Sequence, residues 1–150
     1  MSITGAFIVP HPPIILPQVG RGEEEKIRKT ADAYRKVAGR IAAMKPDVII
    51  LTSPHTTLYA DYFHISPGKG AKGDLRRFGA SGFSIEVAYD SELVEAISDE
   101  ADRAGIHAGT MGERDKGLDH GTLVPLYFIN QAYTDYKLVR IGLSGFTSLD

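Results

Sequence analysis

Asp47-Val48-Ile49-Ile50-Leu51-Thr52-Ser53-Pro54-His55 is the stretch that decides the fold. Its run of apolar, β-branched residues, closed by small polar ones and a proline, reads as a short strand buried on both faces, as in the middle of a parallel sheet. The strand hands the chain to a histidine. Ligands of open α/β sheets collect in the crevice beyond the carboxyl ends of the strands, so His55 is a site candidate from the outset.

Upstream, residues 3–9 are β-rich and apolar, and Pro10-His11-Pro12-Pro13 must end them because prolines cannot donate to a ladder. This reads as a second strand ending at a histidine. Between the two, Glu23, Glu24 and Glu25 suit the positive end of a helix, and Ile27, Ala31, Tyr34, Ala38 and Ile41 recur at spacings of four and three. The spacing predicts a helix over 23–44, closed before Pro46, and hence a right-handed βαβ unit.

Downstream, 62–66 reads as a strand, and 67–82, with five glycines and four cations, as a long flexible loop of the kind that serves as a lid. Residues 84–89 alternate as a strand. Asp90 or Ser91 then caps a helix that presents Leu93, Val94, Ile97 and Ala101 and stops at Gly105. Residues 108–111 suit a short edge strand, 123–133 a helix with Thr122 as N-cap, 137–143 a strand and 144–150 a loop. The order implies an α/β fold: three α/β/α layers around a mixed, largely parallel central sheet. A buried-looking last strand followed only by loop leaves one sheet face short of a helix, so the expectation is the N-terminal portion of a single longer domain.

A chain of 150 residues suits one domain. Its 17 basic and 19 acidic side chains leave a net charge of −2, with no basic excess to point to nucleic acid. No cysteine is present, which removes disulfides, thiolate metal sites and a Cys nucleophile and fits a reducing cytosol. The N-terminus has no basic n-region, and its apolar run is cut by Pro10, so neither a signal peptide nor a membrane span is read there. The expected location is cytoplasmic.

Five histidines carry the candidate chemistry. His11 and His55, each after an expected strand, converge on one sheet edge, where two imidazoles plus a carboxylate would make a divalent-metal site of the non-haem Fe(II) type. Each alone is equally a loop histidine bonded to nearby backbone. His120 precedes a helix start, as a general acid–base group or as a capping residue. His64 lies within a strand, where packing is the simpler reading, and His107 sits in a surface turn. Asp61 and Asp119 neighbour histidines and could orient them, or simply be solvated. Gly68-Lys69-Gly70-Ala71-Lys72-Gly73 is no Walker loop, since it lacks the Gly-Lys-Ser/Thr ending that opens a helix.

Three segments carry a family likeness. Val9-Pro10-His11-Pro12-Pro13, Thr52-Ser53-Pro54-His55 and Leu118-Asp119-His120-Gly121-Thr122-Leu123-Val124-Pro125-Leu126 resemble the class III extradiol ring-cleavage dioxygenase B-subunit superfamily, which includes the Memo-like proteins. The wider wording is similar to the dioxygenase-like half of AmmeMemoRadiSam system proteins. The resemblance implies that His11 and His55 ligate Fe(II), or another divalent metal such as Zn. It makes His120 a catalytic histidine, with Asp119, Thr122, Asp61 and His64 as supporting or substrate-side residues. The family's remaining metal ligand and second catalytic histidine have no counterpart in these 150 residues.

The implied activity is extradiol opening of a small catechol-like aromatic with O₂; the alternative is a Memo-like metal- or ligand-binding module without turnover. No nucleic acid or membrane partner is expected, and a homo-oligomer stays open.

Overall fold

The computed structural model describes residues 2–146. Residues 147–150, part of the expected terminal loop, lie outside it. After an extended N-terminal segment and a 3-10 turn (Pro13–Ile15) come α1 (Pro17–Gly20), a second 3-10 turn (Glu23–Ile27) and α2 (Arg28–Met44). Then follow β1 (Val48–Ser53), β2 (Phe63–His64), β3 (Gly70–Leu75), a 3-10 turn (Arg76–Phe78), β4 (Ala80–Ala88) and α3 (Ser91–Arg103). The chain closes with β5 (Ala108–Gly109), α4 (His120–Asn130) and β6 (Lys137–Gly142).

The fold is α/β. β1 and β6 run parallel from Val48↔Lys137 to Ser53↔Gly142, β2 and β5 pair in parallel, and β3 and β4 form an antiparallel arm. Isolated bridges at Tyr89↔Leu138 and Ile65↔Ile141 tie the other two ladders to β6. Side chains alternate across a strand, and β6 shows it directly. Leu138 belongs to the core under α2 and α4, while Val139 packs with Val94 of α3 on the other face. Helices therefore cover both faces of β6, whereas Ile50 of β1 stays 50% exposed, so the expected burial of β1 on both faces is not met.

α4 is apolar on every side, as suits a helix enclosed by its neighbours. Leu123, Val124 and Leu126 are fully buried, and Phe128 stacks on Tyr34 of α2 at 4.4 Å. The helix starts at His120 with Asp119 as its N-cap, three residues earlier than the Thr122 cap expected. Asp119 wins because its carboxylate accepts the Thr122 N–H at 3.1 Å, leaving Thr122 inside the first turn.

Two expectations are corrected. Residues 3–9 form no strand: Ile3 and Ile8 are 88% and 104% exposed, and no ladder partner meets them among the described residues. Strand propensity needs a neighbour to take up its backbone groups, so the expected first βαβ unit is not completed. The supposed flexible loop 67–82 is instead mostly the β3–β4 arm. Two of its glycines, Gly70 and Gly73, serve close approach. A Cβ on Gly73 would lie 2.4 Å from the Leu118 carbonyl oxygen, and one on Gly70 2.3 Å from that of Val87.

Gly73→Ala should therefore destabilise the protein by about 1–3 kcal/mol through overpacking. Gly82→Ala, with open space around its Cβ, should be neutral or slightly stabilising. Urea unfolding of the two variants checks the contrast, and equal effects would contradict this packing.

Candidate functional site

Three histidines from distant parts of the sequence meet at the carboxyl end of β1. His11 and His55 place their Nε2 atoms 2.9 Å apart, and the His55 and His120 rings lie 3.9 Å apart between centroids. The His11 and His120 rings are separated by 6.0 Å. Each histidine arrives by a different device.

His55 follows β1 through Ser53, a fully buried residue whose Oγ accepts the His55 backbone N–H at 3.2 Å. His11 comes on the extended proline-rich segment rather than on a strand. That segment is anchored by the Tyr34 hydroxyl, which donates to the Pro10 carbonyl. Tyr34 is buried, and burial pushes its phenol well above the usual range, so it stays a donor. His120 is the first residue of α4.

Asp119 joins two of these devices. Its Oδ1 accepts from Ser53 Oγ at 2.6 Å, and its Oδ2 from Thr122 Oγ1 at 3.0 Å. One carboxylate thus clamps the end of β1 onto the start of α4 and sets His55 beside His120. Gly121 permits the approach: a Cβ there would meet Ser53 Oγ at 2.5 Å and His55 Cδ2 at 3.0 Å.

The loop before Asp119 is held from below by Arg140, a β6 residue with 1% exposure. Its guanidinium donates to the Asp115 and Gly117 carbonyls at 2.7 and 2.6 Å and to Ser66 Oγ at 2.8 Å. The Glu113 and Asp119 carboxylates, at 3.8 and 4.0 Å, balance its charge. Burial lowers the His120 pKa, as do the neighbouring His55 and then His11 imidazoles against the pull of Asp119, which favours the neutral ring.

The two Nε2 atoms fit a shared cation. With metal–nitrogen bonds of about 2.1 Å, a 2.9 Å separation is that of two adjacent corners of a coordination sphere. Imidazole donors suit iron, zinc and similar divalent ions. Among the described residues, no group of three or more His, Cys, Asp or Glu side chains is arranged to hold a metal.

Other sequence candidates lie elsewhere. Asp61 pairs with His107 at 3.0 Å on the exposed surface, so its carboxylate orients that imidazole and not the site trio. His64 is buried beside Arg140 with its Nε2 unpartnered, and burial followed by the Arg140 charge pulls its pKa down. Ser53, Tyr34, Phe78 and Arg140 were not singled out from the sequence. Arg140 alone left a signal: a charge inside Leu138-Val139-Arg140-Ile141, where the pattern calls for apolar residues.

Alanine at position 121 should gain up to about 1 kcal/mol from helix propensity. A net loss of about 1–3 kcal/mol on Gly121→Ala, read by chemical unfolding, would show that the contact with Ser53 and His55 outweighs it. A folded-state pKa below the unfolded value makes the unfolded chain the better proton acceptor. The contribution of His64 is therefore present above about pH 6.5 and lost as pH falls below it. Unfolding measured between pH 7.5 and 5.5 should show a flatter acid loss in His64→Leu than in the parent, and parallel curves would refute it.

No helix among the described residues is long and apolar enough to cross a membrane. Over its whole length the chain is 36% identical to Protein CA_C1420 of Clostridium acetobutylicum, covering 34% of that protein. Over 94% of its length it is 29% identical to the 2-aminophenol 1,6-dioxygenase beta subunit of a Pseudomonas species, covering 48% of that subunit. The chain thus spans between a third and a half of these relatives. The sequence pattern of the catalytic LigB subunit of aromatic ring-opening dioxygenase matches residues 5–149, within which all three site histidines fall, and the chain belongs to that family.

Proposed function

We propose that this chain carries part of a non-haem Fe(II) site for extradiol opening of a catecholic ring by O₂, with His11 and His55 as ligands and His120 as the acid–base group. The observation that carries the reading is the 2.9 Å approach of the two Nε2 atoms with the His120 ring beside them. Membership of a ring-opening dioxygenase family and the similarity to a 2-aminophenol 1,6-dioxygenase subunit support it. Bound Fe(II) would supply a template and an electron path between a catecholate and O₂, and zinc fits the same donors without the redox step.

The protein's own groups do the rest. A neutral His120 imidazole takes a proton from a substrate hydroxyl and returns it later in the cycle. Asp119 and Ser53 hold His120 against His55, so the base needs little reorganisation as charge develops. Both oxygen atoms end in the product, and the ring opens beside one hydroxyl. We place the protein in the cytoplasm.

A second reading has one observation in its favour, the lack of a third metal-holding side chain among the described residues. On that reading the same histidines hold a metal or small ligand without turnover.

Fe(II)-loaded chain prepared without oxygen, then given O₂ and a panel of catechols and 2-aminophenol, should form the coloured ring-opened product. Absence of product with metal retained would favour the second reading. His11→Ala and His55→Ala should each lower metal affinity by at least about tenfold. Unchanged metal content in both would remove the shared site from either reading.

A further inference from the structure

The β3–β4 arm ends in the 3-10 turn Arg76–Phe78, and Phe78 keeps 39% of its surface exposed. Its ring centroid lies 5.1 Å from that of His120, with the planes at 66°. This is an edge contact of the kind aromatic rings prefer. The position is fixed from both sides. Leu75, three residues earlier, is fully buried, and Asp74 Oδ1 accepts the Arg76 N–H at 3.0 Å. On the other side, Gly79 turns the chain at φ 79° and offers its carbonyl to Arg21 Nη2 at 2.8 Å.

Phe78 is a large apolar ring at the arm's tip with more than a third of its surface left to solvent. Its ring neighbour is His120, and the trio that His120 forms with His11 and His55 offers polar nitrogen. Phe78 adds the apolar surface that the trio lacks, on the side of His120 that faces the arm.

We propose that Phe78 is a specificity-determining wall of the histidine site, favouring ligands that carry a flat aromatic ring over aliphatic chelators with the same oxygen donors. The inference rests on the reading of the trio as a ligand site, and it goes further in naming the residue that selects the ring. Aromatic stacking and exclusion of water from one side of the ligand supply the selection. Chelation by itself treats the two ligand classes alike.

The test compares two bidentate oxygen chelators on the Fe(II)-loaded full chain without oxygen: 4-nitrocatechol, followed by its visible absorbance, and acetohydroxamate, followed by competition. Phe78→Ala should weaken 4-nitrocatechol about tenfold and leave acetohydroxamate within about twofold, while Phe78→Tyr should retain the parent preference. Phe78→Leu keeps apolar bulk without the ring and serves if the alanine variant does not fold; it too should lose the preference. Equal weakening of both chelators, or unchanged 4-nitrocatechol binding, overturns the inference. A parent protein that binds no 4-nitrocatechol overturns it together with the ring-opening reading. A ring preference that depends on Phe78, with no ring opening, sustains this inference and defeats only the ring-opening reading.

Discussion

The carboxylate of Asp119 is the interaction on which the site depends. It caps α4 through the Thr122 N–H and in the same geometry accepts from Ser53 Oγ at the end of β1. A helix start and a strand end are thereby fixed to each other by one side chain, within reach of both His55 and His120. A cap alone could have been a serine, and a strand-end tie alone could have come from any donor. Both bonds land on Oδ1, which leaves Oδ2 for the Thr122 hydroxyl, and the missing Cβ of Gly121 lets the strand end come this close.

Arg140 supports this arrangement from the sheet side. A buried guanidinium carries five donors and no acceptor, so it must find carbonyls and carboxylates. The 113–119 loop provides them, with two carbonyl oxygens in hydrogen-bond contact and two carboxylates nearby. A loop that might otherwise vary its path is drawn to one position under the site. Burial of Glu113 raises its pKa, and the Arg140 and Lys116 charges oppose the rise without cancelling it.

Much of this was legible in the sequence wherever signal and structure are local. The strand at 48–53, the four-and-three stripe of α2 and the cap of α3, which falls to Asp90 rather than Ser91, stand where the sequence places them, although β1 is not buried on both faces. The meeting of His11 with His55 was expected at two strand ends, but only His55 follows a strand, and His120 entered through its helix start and the family wording. What was missed is non-local. Gly70 and Gly73 look like flexibility until Val87 and Leu118 are known to press on them. Residues 3–9 have strand propensity but no partner among the described residues, a fact no window of sequence contains. Phe78 meets His120 only because a distant arm folds back, and Arg140 owes its role to carbonyls whose positions depend on the rest of the fold.

The parallel pairing of β1 with β6 joins residues 89 positions apart, from Val48 with Lys137 to Ser53 with Gly142. Such a ladder can close only after most of the intervening chain has collapsed, which makes it an entropically late step in folding. Local helices such as α2 and α3 can form and fray long before it. The histidine cluster, seated where this ladder ends, therefore exists only in molecules that have finished their slowest topological step. Until then His55 and His120 are unconnected side chains, and any cofactor that needs them together is excluded from the early stages of folding.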